Sequence, residues 1–265
     1  MRPSLVIHGA AGRMGRRILA LAVEEQIFDV VGAVDHPGHP DAGKDAGTLA
    51  GVSPLGIKLG GEFPQKASVV IDFSLPQAAA KTAEWCEKCG AALVVGTTGL
   101  ERAQMEILTA AAKKIAIVQA ANMSLGMNLL FSIVGKVAAA LGPEYDIEIT
   151  EAHHRLKKDA PSGSALSLAK SICESTGRDY PGCLVHGRQG KDVPRQTGTI
   201  GMHAIRAGDI VGKHAVIYGT QGETITISHD AQSRDTFARG ALRAAQWVLN
   251  QKPGLYSMQD VLGLK

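Results

Sequence analysis

Directly after the apolar run Leu5-Val6-Ile7-His8 the chain turns through Gly9-Ala10-Ala11-Gly12-Arg13-Met14-Gly15 and enters a stretch with helical periodicity. Few folds place glycines at that point. A strand that ends in a turn without Cβ atoms and restarts as a helix lets backbone amides and the positive helix end approach a phosphate closely. The spacing is G-x-x-G-x-x-G rather than the commoner G-x-G-x-x-G, so the motif takes its meaning from context. That context is Asp35, at the end of the second apolar run and 20 positions beyond Gly15, where a carboxylate accepts hydrogen bonds from the ribose of a dinucleotide. The alternative is a turn that only permits close helix–sheet packing, with Asp35 a solvated turn residue.

The same alternation continues through the first 120 residues. Val- and Ile-rich runs at 5–9, 30–34, 69–73, 92–95 and 115–119 read as buried parallel strands, and the stretches 12–25, 76–89 and 101–113 read as crossover helices. This pattern predicts a Rossmann-type doubly wound parallel sheet. The glycine- and proline-rich stretch 37–61 lacks periodicity and reads as a long irregular connection. Two further strand ends carry polar or glycine-rich loops, Gly96-Thr97-Thr98-Gly99 and Ala120-Ala121-Asn122-Met123-Ser124. Ligands of open α/β sheets bind beyond the carboxyl ends of strands, so three such loops can converge on one cofactor.

After Asn122 the pattern changes. Helices are expected near 125–141 and 162–175 and a strand at 145–152, followed by alternating segments at 199–207, 214–218 and 223–229. Those are hairpin signals rather than another βαβ unit, and they predict a second α+β domain with a mixed or antiparallel sheet. A final helix at 236–250, stopped by Lys252-Pro253-Gly254, is expected to pack back on the first domain.

Composition narrows the function classes. The formal charge of +3 is too small to argue for nucleic acid, and no apolar run approaches the length of a membrane span. The N-terminus lacks the long apolar region and cleavage site of a signal peptide. Cys86, Cys89, Cys173 and Cys183 show neither a disulfide framework nor paired metal-ligand spacing, so no metal is expected and the reducing cytoplasm is the expected address.

The chemistry concentrates in Glu151-Ala152-His153-His154-Arg155-Leu156-Lys157-Lys158-Asp159-Ala160-Pro161-Ser162-Gly163-Ser164-Ala165-Leu166. Two histidines, an arginine and two lysines lie within six residues, and Ser162-Gly163-Ser164 offers amides and hydroxyls at a helix start. Such a set of donors suits a small dianion. The plainer reading is a pair of ordinary strand-end histidines before a solvated lysine loop.

This passage resembles the E-A-H-H-R-x-K-x-D-A-P-S-G-[ST]-A signature of the 4-hydroxy-tetrahydrodipicolinate reductases, formerly called dihydrodipicolinate reductases. The resemblance extends over nearly the whole chain: Gly9 to Gly15, Gly96 to Gly99, Ala120 to Ser124, Gly198 to Gly201, Arg206 to Gly212, Ser233-Arg234 and Thr236-Phe237-Ala238. One departure is Met123, where the family carries an aromatic residue.

The resemblance implies NADH or NADPH held by Gly9, Ala10, Ala11, Gly12, Arg13, Met14, Asp35, His36, Gly96, Thr97, Thr98, Ala120, Ala121, Asn122 and Met123. NADH is favoured, because Asp35 repels a 2′-phosphate and His36 stands where an arginine would clamp one. It also implies a dicarboxylate substrate bound by His154, Ser162, Gly163 and Ser164, with His153 as the acid/base residue and Lys157 as proton donor. The residues alone leave open which of the two delivers the proton. The implied protein is a homotetramer with a dinucleotide-binding domain of residues 1–124 with 235–265 and a substrate-binding and oligomerisation domain of residues 125–234.

Overall fold

A computed structural model describes residues 2–264, which form two compact units. One runs to Leu125 and resumes at Arg234, and the other is the unbroken stretch Gly126–Ser233. The outermost residues of the first expected domain, 1 and 265, lie outside the described residues.

The first unit begins with β1 (Ser4–His8), α1 (Arg13–Glu24), β2 (Asp29–Val34), α2 (Ala46–Ala50), β3 (Leu59–Gly60), β4 (Val69–Asp72), α3 (Pro76–Cys89), β5 (Ala92–Val95), α4 (Arg102–Ala111) and β6 (Ala116–Gln119). In β1 the side chains of Leu5 and Ile7 enter one core cluster and that of Val6 another, all three with no exposed surface. Adjacent residues of a strand point to opposite faces, so a run apolar at every position is a strand covered on both sides. The helices end where the local chemistry requires. Pro76 opens α3 at a position where its missing N–H costs nothing, and Gly90 closes it at φ +70°.

The stretch 37–61 is more ordered than its lack of periodicity suggests. A single side chain organises it: the Asp45 carboxylate accepts the amides of Thr48 at 2.9 Å and Gly56 at 2.8 Å, capping α2 and folding the segment behind it. That segment delivers β3 to the sheet edge beside β2.

The second unit continues with α5 (Leu125–Leu141, its first residue still in the first unit), β7 (Asp146–His153), α6 (Gly163–Thr176), β8 (Leu184–His186), β9 (Ile200–Arg206), β10 (Gly212–Thr220) and β11 (Glu223–Ala231). Its five strands lie in the order β11-β10-β7-β9-β8. The β11–β10–β7 pairs are antiparallel and the β7–β9–β8 pairs parallel, a mixed sheet. Apolar side chains of α5, α6 and β7, such as Val134, Leu168, Ile172, Ile147 and Ile149, make the core, and the buried Tyr218 hydroxyl donates to the Val134 carbonyl at 2.7 Å.

The chain then returns to the first unit as α7 (Asp235–Val248), β12 (Gly254–Tyr256) and α8 (Met258–Leu262). Helix α7 buries Ala238, Ala241 and Ala245 in the cluster that holds α1. Helix α7 stops at Val248, short of Lys252-Pro253, and the chain goes on as a strand pairing in parallel with β6. The completed sheet has seven parallel strands in the order β12-β6-β5-β4-β1-β2-β3. Strand order reverses between β1 and β4, the place where such sheets bind ligands.

Candidate active site

In the first unit the glycine turn fills the space beyond β1. Gly9 has φ +78°, and a Cβ on Gly15 would lie 2.1 Å from the Gly9 carbonyl oxygen, so only glycine allows α1 to start this close to the strand. Gly12, at the N-cap, supplies no side chain to the first helical amides, which leaves them to a ligand. The turn is held from behind. Gly9 and Ala10 N–H donate to the Val34 carbonyl at 2.9 and 3.0 Å, and Arg16 Nε donates to the Ala11 carbonyl at 2.8 Å. Asp35 accepts the Ala11 amide at 2.8 Å and the His36 amide at 2.8 Å, which aims the carboxylate across the turn. Two backbone donors leave lone pairs over for ribose hydroxyls.

Gly96 and Thr97 are buried at the end of β5, while Thr98 is exposed. Ala120 and Asn122 are half-buried and Ala121 is exposed after β6. Met123 is only 2% exposed and joins the core cluster of Ala238 and Ala241, so its side chain packs inward. The glycine turn, Asp35 and both loops thus stand at carboxyl ends of strands in one sheet.

Beneath these loops lies a buried polar network that sequence reasoning missed. Asp72, at the end of β4, has no exposed surface. It accepts Thr82 Oγ1 at 2.6 Å, Ser74 Oγ at 2.6 Å and Thr97 Oγ1 at 2.9 Å, and it faces His8 Nδ1 at 3.3 Å. His8 Nδ1 lies 2.7 Å from Thr82 Oγ1. Because that hydroxyl spends its proton on Asp72, His8 is the donor to it. Burial disfavours the Asp72 charge, but His8 and the hydroxyls outweigh it and hold the carboxyl below its usual range. The signal available in sequence was a lone aspartate closing an apolar strand.

The second unit gathers its groups on one face of its sheet. Glu151 and His153 are two apart on β7, and across the ladder Arg206 pairs with His153 and His214 with Glu151. Residues two apart, and residues directly opposite, share a face. Glu151, with a 1% exposed side chain, accepts His153 Nδ1 at 2.6 Å, Arg206 Nη1 and Nη2 at 2.9 and 2.8 Å, and the Ser162 amide at 3.0 Å. Burial raises its pKa, but Arg206, His153 and the amide outweigh burial and keep the carboxyl below its ordinary value.

Burial also lowers the pKa of His153, as do Lys157 and Arg206, against the opposing pull of Glu151. The ring's other nitrogen, Nε2, borders a gap left by Gly212, where a Cβ would stand 3.2 Å away. The His214 ring meets that of His153 edge-on at 5.1 Å, and burial pushes its pKa down to about 4.

The loop after β7 carries the remaining candidates. The half-buried Lys157 pairs with Asp159 at 2.9 Å, and its amide donates to the His154 carbonyl at 3.1 Å, forming the turn that carries both. Arg155 and Lys158 are exposed. Ser162 caps α6, its Oγ accepting the Ala165 amide at 3.2 Å and lying 3.1 Å from His214 Nε2. It is 2% exposed, so its hydroxyl serves the helix start, whereas Gly163 is exposed and Ser164 half-buried. A carboxylate near Gly163 would meet a helix N-terminus and neighbouring cations. Arg206 and His214 lie on β9 and β10, far from this loop in sequence, and no local motif links them to it.

Comparison with known proteins matches residues 3–123 to the N-terminal part of dihydrodipicolinate reductase and residues 126–262 to its C-terminal part. A 4-hydroxy-tetrahydrodipicolinate reductase of Alkalilimnicola ehrlichii is 49% identical over the whole of both chains. That of Halorhodospira halophila is 46% identical over 97% of this chain and 98% of the relative. Among solved structures, a dipicolinate-bound dihydrodipicolinate reductase from Paenisporosarcina sp. TG-14 superposes with a TM-score of 0.76. The match covers 98% of this chain and 99% of that one at 22% identity, a likeness of fold.

Proposed function

This chain belongs to the dihydrodipicolinate reductase family, and from that premise we propose how its residues divide the work. The protein is an oxidoreductase that uses NAD(P)H to reduce 4-hydroxy-tetrahydrodipicolinate, with loss of water, to tetrahydrodipicolinate in the diaminopimelate and lysine route. No helix of the described residues is long and apolar enough to cross a membrane.

The dinucleotide belongs to the first unit. Its pyrophosphate meets the turn Gly9, Ala10, Ala11, Gly12, Arg13 and Met14, its adenosine ribose meets Asp35 beside His36, and the loops Gly96–Thr98 and Ala120–Met123 border the remainder. We read the preference as NADH, because the Asp35 carboxylate is fixed by two amides and a 2′-phosphate beside it would meet an anion. When bound, the reduced dinucleotide supplies a hydride, two electrons, to the unsaturated ring. The protein's own task is to hold the ring and provide one proton.

The dicarboxylate belongs to the second unit, where His154 and the amides at Gly163 and Ser164 receive its two carboxylates, with the buried Ser162 cap holding the helix start behind them. Fixing both ends of a small ring leaves it little freedom, which is how orientation lowers a barrier. Hydride addition leaves electron density at the ring nitrogen or the neighbouring carbon, and a positioned acid that neutralises it contributes about 10²- to 10⁴-fold. His153 is the acid/base group and Lys157 the second donor. The observation that carries this reading is the His153 ring, anchored at Nδ1 by Glu151 and open at Nε2 beside Gly212.

The test is the loss of NADH absorbance, and separately of NADPH, with substrate generated in situ. The parent is expected to oxidise NADH faster than NADPH. The His153→Ala, Lys157→Ala double variant is expected to lose about 10³-fold in kcat while still binding dinucleotide. Full turnover by that variant would sink the assignment of both residues. We further read the protein as a cytoplasmic homotetramer on the family's pattern, which sedimentation of the purified protein checks.

A further inference from the structure

We propose that Glu151, held in place by Arg206, is a positioning residue that fixes the tautomer of His153 and so decides which ring nitrogen serves the reaction. The inference rests on the reading of His153 as the proton-handling group. A buried carboxylate is costly unless its lone pairs are matched, and here every contact also has a direction. Both oxygens of Glu151 take the Arg206 fork at 2.8 and 2.9 Å, so the carboxylate plane is set by a planar partner. Arg206 is fixed in turn, since its Nη2 also donates to the Asp159 carbonyl at 2.5 Å.

What remains of Glu151 is pointed along two lines. Oε2 meets His153 Nδ1 at 2.6 Å, and Oε1 meets the Ser162 amide at 3.0 Å. An ionised carboxylate only accepts, so Nδ1 must carry a proton, and the neutral ring keeps Nε2 as its unprotonated nitrogen. The same carboxylate therefore ties the acid/base ring to the start of α6, where the substrate's anionic groups are expected. Moving one moves the other.

Charged and titratable groups face the His153 ring from several elements. Glu151 lies beside it on β7, Arg206 across on β9, His214 across on β10 with His229 beyond it on β11, and Lys157 with Asp159 on the loop. Among these, Glu151 is the group that hydrogen-bonds the ring and favours its charged form. Replacing it by glutamine keeps the shape, removes the charge, and offers an amide that can donate as readily as accept. The ring then loses its tautomer preference, and its pKa falls further.

The experiment has a spectroscopic and a kinetic part, both on the full chain. Long-range ¹H–¹⁵N spectra of histidine-labelled protein, recorded without ligand, report the protonation of each ring nitrogen. The parent is expected to show His153 protonated at Nδ1 and bare at Nε2, and the reverse pattern overturns the proposal without any variant. In Glu151→Gln the two tautomers should mix, and in Glu151→Asp the parent pattern should return. Glu151→Gln is expected to lower kcat by about 10²-fold, and the limb of the pH profile that His153→Gln abolishes should move to lower pH.

In the His153→Gln background the same change should cost less than about threefold, because a residue that acts through another adds nothing once that one is gone. Additive losses with an unchanged tautomer would overturn the proposal and leave His153 as the acid/base group. Parent-like kcat in His153→Gln would instead remove the reading beneath it, whatever the spectra showed. Dinucleotide binding and the melting temperature show whether each variant is folded, and if Glu151→Gln is not, the parent and Glu151→Asp spectra decide.

Discussion

Each unit of this protein holds a histidine against a buried carboxylate at the end of a strand, and the two pairs are built for different ends. Asp72 meets His8 amid the hydroxyls of Ser74, Thr82 and Thr97, and the His8 ring packs on Phe63, which stacks on Trp85. Glu151 meets His153 with an arginine as its counter-ion, and the far nitrogen of the ring borders the gap at Gly212. The first pair sits among hydroxyls from a strand end, a helix and a loop, and so ties those three segments together. The second imposes a charge and a direction. A histidine–carboxylate contact therefore says little by itself; what separates the two pairs is the carboxylate's other partners, hydroxyls in one and a guanidinium in the other.

The largest effect that tests this contrast is kinetic. His153→Gln is expected to lower kcat by about 10²- to 10⁴-fold with little change in melting. His8→Gln should do the opposite, leaving kcat within a few-fold while lowering stability by about 1–3 kcal/mol. Steady-state rates and urea denaturation on the two proteins suffice, and equal kinetic losses would erase the distinction.

Acid sharpens the comparison next. His214 titrates near 6.5 in an unfolded chain and at about 4 when buried beside His153. Between those values the unfolded state takes up a proton that the folded state refuses, so stability falls as the pH drops from 6.5 to 4 and changes no further below that. The loss is on the order of 3 kcal/mol. Glu148, on the opposite face of β7 with Arg188, Arg195 and His203, is held at about 2 against an ordinary 4.5. Its contribution is present above 4.5 and disappears as the pH falls towards 2. The lowered Asp72 matters only below its ordinary 3.8. The second unit should therefore loosen first, seen as earlier loss of amide protection in β7 and β10 than in β1 and β4 at pH 5. His214→Gln should flatten that early slope, and simultaneous loss in both units would contradict the assignment.

The smallest expected change comes from Gly212→Ala. A methyl group 3.2 Å from His153 Nε2 must displace the ring by a few tenths of an ångström without touching Glu151. A several-fold fall in kcat with KM nearly constant is the expected result. No change would mean that Nε2 has more room than the contact suggests.

How far the sequence foretold these features follows from the range of the interactions. The glycine turn, the all-apolar strands and the helix start at Ser162-Gly163-Ser164 are local patterns, each readable from residues within about one turn or strand of one another, while Asp35, 20 positions beyond Gly15, is read from the order of strand, helix and strand. The three-residue strands β8 and β12 and the two-residue β3 carry no periodicity to read, because pairing with a distant strand creates them. Helix α8 did leave a trace, since Ser257 and Asp260 form a capping box. Glu151 stood in the recognised motif without a role, and Arg206 in another stretch of the resemblance, because only the β7–β9 register brings them together. The Asp72 network was invisible for the same reason: His8, Thr82 and Thr97 come from three different elements or their ends.

The return of the chain to its first unit bears on how the molecule is made. Residues 126–233 are contiguous, so that unit has all its strands in hand as soon as they leave the ribosome. The dinucleotide unit does not, for α7 and β12, which cover and extend its sheet, are synthesised after the whole of the second unit. Its apolar face at Ile7, Leu19 and Val94 must wait for Ala241 and Leu242, through more than a hundred residues of translation, before it is closed. In this protein the half translated later can mature first, and the nascent nucleotide fold is the part that needs shielding.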